Sequence, residues 1–215
     1  MNGDTFAAAM AARVLAFCAG FGAELPAYSY VPLKTDAQRL RVMQSRLYNE
    51  VRAAEVFGAW LPTTPELDIK EALAESLHGE MTHARLLAAR IRERGVEPFD
   101  YRPVPGQIAL FNAFQLLPTT VERFAAFPLA GEGVAEFMIQ RALAAPTVPD
   151  WIKAPYQAIH ADEADHANFP AQVIARFATT PDIQDRAQRA VTMSLALRRQ
   201  YFADLDAWVL NDATW

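Results

Sequence analysis

One four-residue pattern occurs in both halves of this chain and constrains its fold more than any other feature. A Glu precedes a His by three residues at Glu80 and His83, and again at Glu163 and His166. On an α-helix, side chains three residues apart project from the same face about one turn apart. Each half of the chain is therefore predicted to contain a helix that presents a carboxylate and an imidazole on one face.

These pairs interrupt apolar helical faces. Rows of residues spaced by threes and fours read Ile69, Leu73, Ser76, Glu80, His83, Leu87, Ile91 in the first half, and Ile152, Tyr156, Ile159, Glu163, His166, Pro170, Val173, Phe177 in the second. A third pair, Glu75 and His78, lies on a polar face and is predicted to be solvated. Buried carboxylates are costly without a partner, so the two apolar rows favour metal ions as that partner.

Helix arithmetic locates two further acids at matching heights. Glu50 is the one acid on the apolar row of the preceding helix, whereas Glu55 falls on its polar side. Counted from the intervening turn, Glu50 and Glu80 are 10 and 12 residues away, which at about 1.5 Å per residue sets them level in an antiparallel pair. Glu132 stands in the same relation to Glu163. The two halves therefore resemble one two-helix unit used twice.

The set Glu50, Glu80, His83, Glu132, Glu163 and His166 resembles the ferritin-like diiron-carboxylate superfamily over residues 36–178, nearest to bacterial diiron hydroxylase or oxygenase members. The resemblance implies two iron ions, with manganese or a mixed manganese–iron pair as alternatives, and dioxygen as co-substrate. In that superfamily Glu80 and Glu163 would bridge the metals, with Glu50 and Glu132 more terminal. Because the superfamily hosts several chemistries, it fixes the site better than the reaction.

Two more residues could join this set. Glu136 lies one turn after Glu132 and is predicted either to contact a metal or to pair with Arg141 or solvent. His160 lies three residues before Glu163 and is predicted either as a seventh ligand, as in some arylamine oxygenases of the superfamily, or as a residue that hydrogen-bonds to a ligand or lies on the surface. Asp162 and Asp165 could orient the His ligands or be surface charges.

The chain is predicted to form one all-α domain over residues 1–215: a ferritin-like four-helix bundle with additional N- and C-terminal helices and one long crossover. Capping and breaker residues include Asp68 with Glu71, Thr119 with Glu122, and Asp150. Pro128 and Pro170 are expected to kink or bulge their helices. The predicted helices are 4–20, 36–60, 68 to about 94, 107–116, 119–144, 150–177 and 181–210.

Composition limits which partners and which cellular location are expected for this chain. The net charge of −5 argues against a general nucleic-acid binder, although a modified tRNA substrate stays open. A single Cys excludes an internal disulfide and fits a cytoplasmic location, and the apolar residues 1–23 are too short to span a bilayer. We therefore expect no membrane association; a homodimer is one expected assembly.

The leading functional hypothesis is a dioxygen-dependent diiron oxidoreductase that hydroxylates or oxidises a largely apolar small molecule. Electrons would come from a ferredoxin or a reductase, because no flavin or nicotinamide motif is present. The alternatives are a ferroxidase or iron-handling protein, and a non-catalytic helical scaffold. Seven aromatic residues could either line a substrate pocket or form plain core: Phe57, Phe111, Phe114, Phe124, Phe127, Phe137 and Phe169.

Overall fold

The structure is a computed structural model that describes residues 1–163 and 168–211, except for the side chains of residues 162 and 163. Within these residues the chain is helical and contains no strand, so the predicted all-α class is confirmed. The α-helices are α1 (Gly3–Ala19), α2 (Asp36–Trp60), α3 (Leu67–Glu93), α4 (Pro105–Gln115), α5 (Thr120–Phe124), α6 (Gly133–Ala144), α7 (Asp150–Glu163), α8 (Phe169–Phe177) and α9 (Pro181–Asn211).

Helices α2 and α3 form a long helical hairpin that shows how local chemistry sets the ends. Helix α2 begins after a complete capping box, in which the Thr35 side chain accepts from the backbone N–H of Gln38 and the Gln38 side chain accepts from that of Thr35. The capping box predicted at Asp68 is wrong. Helix α3 begins one residue earlier, after Glu66, and the Asp68 carboxylate instead pairs with Arg176 on α8.

The apolar face of α3 differs from the predicted row at one position. Ser76 is exposed, and Leu77 packs against the core in its place. The rest of the face is buried as predicted, with Glu80 and His83 between Leu73 and Leu87. The 3.6-residue period of the helix shifts a row by one residue over several turns, which explains the exchange.

Helices α5 and α6 are joined without a turn by a π-helical segment, Ala125–Glu132, that contains Pro128. Thr119 caps this composite helix as predicted, by accepting from the backbone N–H of Glu122. A proline cannot donate to the preceding turn and its ring crowds the carbonyl there, so a regular α-helix is disfavoured at this point. The expected irregularity at Pro128 is therefore confirmed, and Glu132 is the last residue of the widened segment.

The predicted single helix over 150–177 is interrupted at Asn168, which lies in a turn. Helix α7 is described over Asp150–Glu163, and α8 begins at Phe169 with Asn168 at its N-cap position and Pro170 in its first turn. Proline is well tolerated there because the first turn of a helix has N–H groups without intrahelical acceptors. Pro170 thus begins a helix instead of kinking one.

Helix α9 closes the bundle by crossing α4 and the π-helical segment, while α1 packs on α8. The crossing of α4 and α9 is close: a Cβ placed on Gly106 would lie 2.7 Å from the backbone nitrogen of Tyr201. Apolar side chains from every one of these helices meet in one continuous core. Among the described residues, no helix is both long enough and apolar enough to cross a bilayer.

Candidate metal centre

Three of the six predicted ligands meet between α2 and α3. Ligand atoms of Glu50, Glu80 and His83 all lie within 4.8 Å of one another. The Nδ1 atom of His83 is 3.7 Å from Glu50 Oε2 and 4.0 Å from Glu80 Oε2. The hairpin sets Glu50 level with Glu80, which is the height relation expected from the lengths of the two helices.

This cluster is buried and electrostatically coupled. Glu80 is 8% exposed and His83 is 4% exposed, while Glu50 is half-buried. Burial alone would raise the pKa of Glu50, but hydrogen bonding with His83 and Glu80, together with the positive charges of His83 and Arg46, brings it below its usual value. The cluster therefore favours an ionised Glu50 carboxylate, which is the form that binds a metal.

The residues assigned to the polar faces lie there. His78 and Glu75 are exposed on α3, and Glu55 is exposed on α2, where it pairs with Arg52. The structure thus separates Glu80 and His83 from the neighbouring Glu75 and His78, although both pairs have the same spacing.

The second half of the predicted set is described only in part. Glu132 is half-buried at the end of the π-helical segment. Glu163 is the last residue described in α7, but its side chain lies outside the described residues, as do His166, Asp165 and the side chain of Asp162. The metal-binding roles of Glu132, Glu163 and His166 therefore stay predictions.

Glu136 and His160 lie together and connect α6 to α7. His160 Nδ1 is 2.5 Å from Glu136 Oε1, which also accepts a hydrogen bond of 2.8 Å from Gln140 Nε2. Glu136 is partly exposed and pairs with His160 and Gln140; no ion pair with Arg141 is seen among the described residues. Metal binding by Glu136 or His160 stays a prediction.

Most of the aromatic residues considered for a substrate pocket are packed into the core. Phe127 stacks on Phe57 at 5.0 Å and on Phe114 at 4.7 Å between ring centroids, and Phe111 meets Phe127 edge-on. Phe124 meets Phe169 in the same edge-on manner. Plain core, the alternative to a pocket, is therefore the arrangement of these rings.

Two clefts of the described part of the chain are not lined by the three clustered ligands. One, of about 70 Å³, lies between α2 and the crossover and is lined by Gln44, Leu47, Tyr48, Val51, Pro98, Phe99 and Tyr101. The other, of about 410 Å³, lies near the turn between α2 and α3 and includes Glu66, Thr119, Thr120 and Arg186.

Sequence reasoning missed a buried group next to Glu50. Arg46 lies one turn before Glu50 on α2, is 1% exposed, and is surrounded by Tyr28, Tyr30 and Tyr156. Tyr28 and Tyr30 lie between the predicted helices 4–20 and 36–60, where the sequence predicts no helix. The one available signal was a charged residue at i−4 from Glu50, which shares its face of the helix.

No protein-family model matches the chain, and no curated protein matches it. Among solved structures, it is similar to a domain of unknown function with a heme oxygenase-like fold from Shewanella denitrificans OS217. That match has a TM-score of 0.73 and 14% sequence identity, and covers 93% of this chain and 90% of the other.

This similarity shows the fold alone. The chain has an all-helical, heme oxygenase-like fold. The predicted resemblance is therefore confirmed at the level of a helical bundle with a Glu and His cluster suited to a metal. The diiron assignment stays a prediction.

Proposed function

We propose that this protein is a non-haem diiron oxidoreductase that uses dioxygen to hydroxylate or oxidise a largely apolar small molecule. The observation that carries the proposal is the buried convergence of Glu50, Glu80 and His83 inside an all-helical bundle. Perturbed, buried titratable groups that converge from different helices are typical of functional sites.

The donor atoms fit the metal. Carboxylate oxygens and imidazole nitrogens suit iron and manganese, and zinc is also compatible. Glu50, Glu80 and His83 would hold one side of the centre, and Glu132, Glu163 and His166 would supply the other side in the repeated unit. Four carboxylates of that set would balance the charge of two divalent ions.

The chain's own residues would prepare the site for oxidation of carbon. Glu50, Glu80, Glu132 and Glu163 would hold the two ions through their carboxylates, and His83 and His166 through their imidazoles. Leu47, Leu87 and Ile159, which are buried near the proposed ligands on their helical faces, would limit water at the site. Bound ferrous iron would supply the activation of dioxygen.

The proposed electron donor is a separate protein. No flavin or nicotinamide motif is present, so an external ferredoxin or reductase would deliver electrons. The proposal includes a small-molecule substrate and a cytoplasmic location; a homodimer and a modified tRNA substrate are further hypotheses.

A second candidate is a ferroxidase or iron-handling protein, and two observations favour it. The aromatic side chains that could have lined an organic substrate pocket instead pack on one another in the core. In addition, the partly exposed Glu136 and His160 pair lies one turn from Glu132, where an entering cation would find a carboxylate.

An anaerobic titration with Fe(II), followed by exposure to dioxygen, separates these functions. Absorbance and Mössbauer spectra should show up to two bound ions per chain and, for the oxidoreductase, a transient absorbance that decays faster when an apolar substrate is added. Growth of a mineral core would instead support iron storage. Failure to bind iron would contradict both proposals and leave the scaffold role.

A further inference from the structure

A permanently charged side chain is buried beside the candidate metal centre. Arg46 lies four residues before Glu50 on α2, so the two side chains share one face of the helix about one turn apart. A guanidinium keeps its proton in proteins, so Arg46 is positively charged despite being 1% exposed. The structure must therefore stabilise this cation inside the bundle.

Aromatic rings and a backbone carbonyl hold the guanidinium in place. Arg46 Nη2 donates a hydrogen bond of 3.1 Å to the carbonyl oxygen of Tyr28. Its guanidinium carbon lies 3.8 Å from the ring centroid of Tyr28 and 4.9 Å from that of Tyr156. Cations over aromatic faces are attracted by the negative face of the ring, so this arrangement offsets part of the lost hydration.

Contacts with other residues also hold the tyrosines around Arg46 in place. The Tyr30 and Tyr156 hydroxyl groups are 2.7 Å apart, which connects the segment before α2 to α7. Tyr30 has a φ of 63°, which is strained for a bulky residue. Such strain persists only where the surroundings over-determine the conformation, and it clusters at functional sites.

Because the two side chains lie about one turn apart on the same face of α2, the positive charge of Arg46 attracts the carboxylate of Glu50. We propose that Arg46 is a positioning residue for the metal centre, whose fixed positive charge acts through Glu50 to favour the ferrous over the ferric state of bound iron. This inference rests on the proposed function. A fixed positive charge raises the energy of Fe(III) more than that of Fe(II), so it raises the midpoint potential.

The test is a redox titration of the iron-loaded protein with a chemical reductant and mediators, in which each ferric ion takes up one electron and Arg46 keeps its proton. Arg46→Met removes the charge, and Arg46→Lys keeps it. Arg123→Met is the matched control, because Arg123 is also a buried guanidinium but lies at the α2–α3 turn, where it contacts Thr63, Thr64 and the Leu117 carbonyl oxygen.

We expect Arg46→Met to shift the midpoint potential to more negative values, with a roughly tenfold gain in ferric over ferrous preference. A tenfold change corresponds to about 59 mV for one electron. Arg46→Lys and Arg123→Met should stay close to the unaltered protein. If Arg46→Met does not fold, Arg46→Gln removes the same charge and keeps a donor for the Tyr28 carbonyl.

Equal potentials in the unaltered protein and in a folded neutral variant would overturn the role of Arg46 while leaving the proposed function intact. So would an equal shift in Arg123→Met, because it would indicate a general effect of destabilisation. Absence of iron binding by the unaltered protein would instead contradict the proposed function, and this inference with it.

Discussion

At the scale of single residues, the Glu50, Glu80 and His83 cluster places two carboxylates close together in a poorly hydrated site. Like charges at such distances repel, and burial adds a desolvation cost to each. A divalent cation would convert this repulsion into attraction. The same physics explains why spacing alone cannot identify the site: Glu75 and His78 have the identical spacing but lie in water.

Replacing His83 with Ala should abolish tight metal binding, whereas His78→Ala should have no effect. Loss of a group that only hydrogen-bonds to a metal ligand typically costs 10–100-fold in metal affinity, so removal of a ligand itself should raise the dissociation constant by about 100-fold or more. The loss of binding is measured by the metal content of protein purified without chelator and by titration with Fe(II). Equal loss in both variants would show that the wrong face of α3 had been chosen. We expect His166→Ala to behave like His83→Ala.

Cys18 should be almost unreactive in the native protein. Burial raises the pKa of this thiol to about 11, although the charge of Arg198 opposes the shift. The thiolate is the nucleophile, so at pH 8 only about one molecule in a thousand would carry it. Alkylation by iodoacetamide should be slow in buffer and fast in guanidinium chloride. Rapid labelling of the folded protein would contradict the burial of Cys18.

At the scale of helices, sequence patterns predicted most elements because the helix periods and end signals are local. Helix α2 was predicted from 36 to 60 and spans those residues, and Gly95 ends the following helix region with a φ of 75°. The failures involve contacts between helices. Asp68 pairs with α8 instead of capping α3, and α8 begins anew near Pro170.

The candidate site was likewise predictable where it depends on local helix geometry, and not where it depends on contacts between helices. The heights of Glu50 and Glu80 follow from helix rise and turn length, which a sequence contains. The Arg46 surroundings depend on how Tyr28 and Tyr30 fold back over α2 and on the approach of α7, and no local pattern specifies either contact. The pairing of Glu136 with His160 likewise required the packing of α6 against α7.

Gly106→Ala should destabilise the protein, because the new Cβ would meet the backbone of Tyr201 at 2.7–2.8 Å and neither helix can yield easily. Overpacking of this kind costs about 1–3 kcal/mol. Gly58→Ala is the matched control within α2, where the Cβ would meet only the end of the Leu77 side chain at 3.2 Å. Chemical denaturation should show a loss for Gly106→Ala and little change, or a small gain, for Gly58→Ala. The reverse order would contradict the close crossing of α4 and α9.

At the scale of the molecule, the proposed centre would couple the α2–α3 hairpin to the later helices. Because a ligand that binds only the folded state stabilises it, saturating metal should raise the melting temperature. At a free metal concentration 100 times the dissociation constant, the gain is about 2.7 kcal/mol. Thermal unfolding with and without Mn(II) or Fe(II) under anaerobic conditions measures it. His83→Ala should show no gain, and an equal gain in that variant would place the metal elsewhere.

The central claim is that a two-metal centre lies inside this bundle. Anomalous diffraction at the iron absorption edge, from crystals grown with Fe(II), tests it most directly. We predict two peaks separated by roughly 3.5–4 Å, the usual spacing of two-metal sites, within bonding distance of Glu50, Glu80 and His83. Iron found only at surface carboxylates, or no peak near these three residues, would contradict the claim.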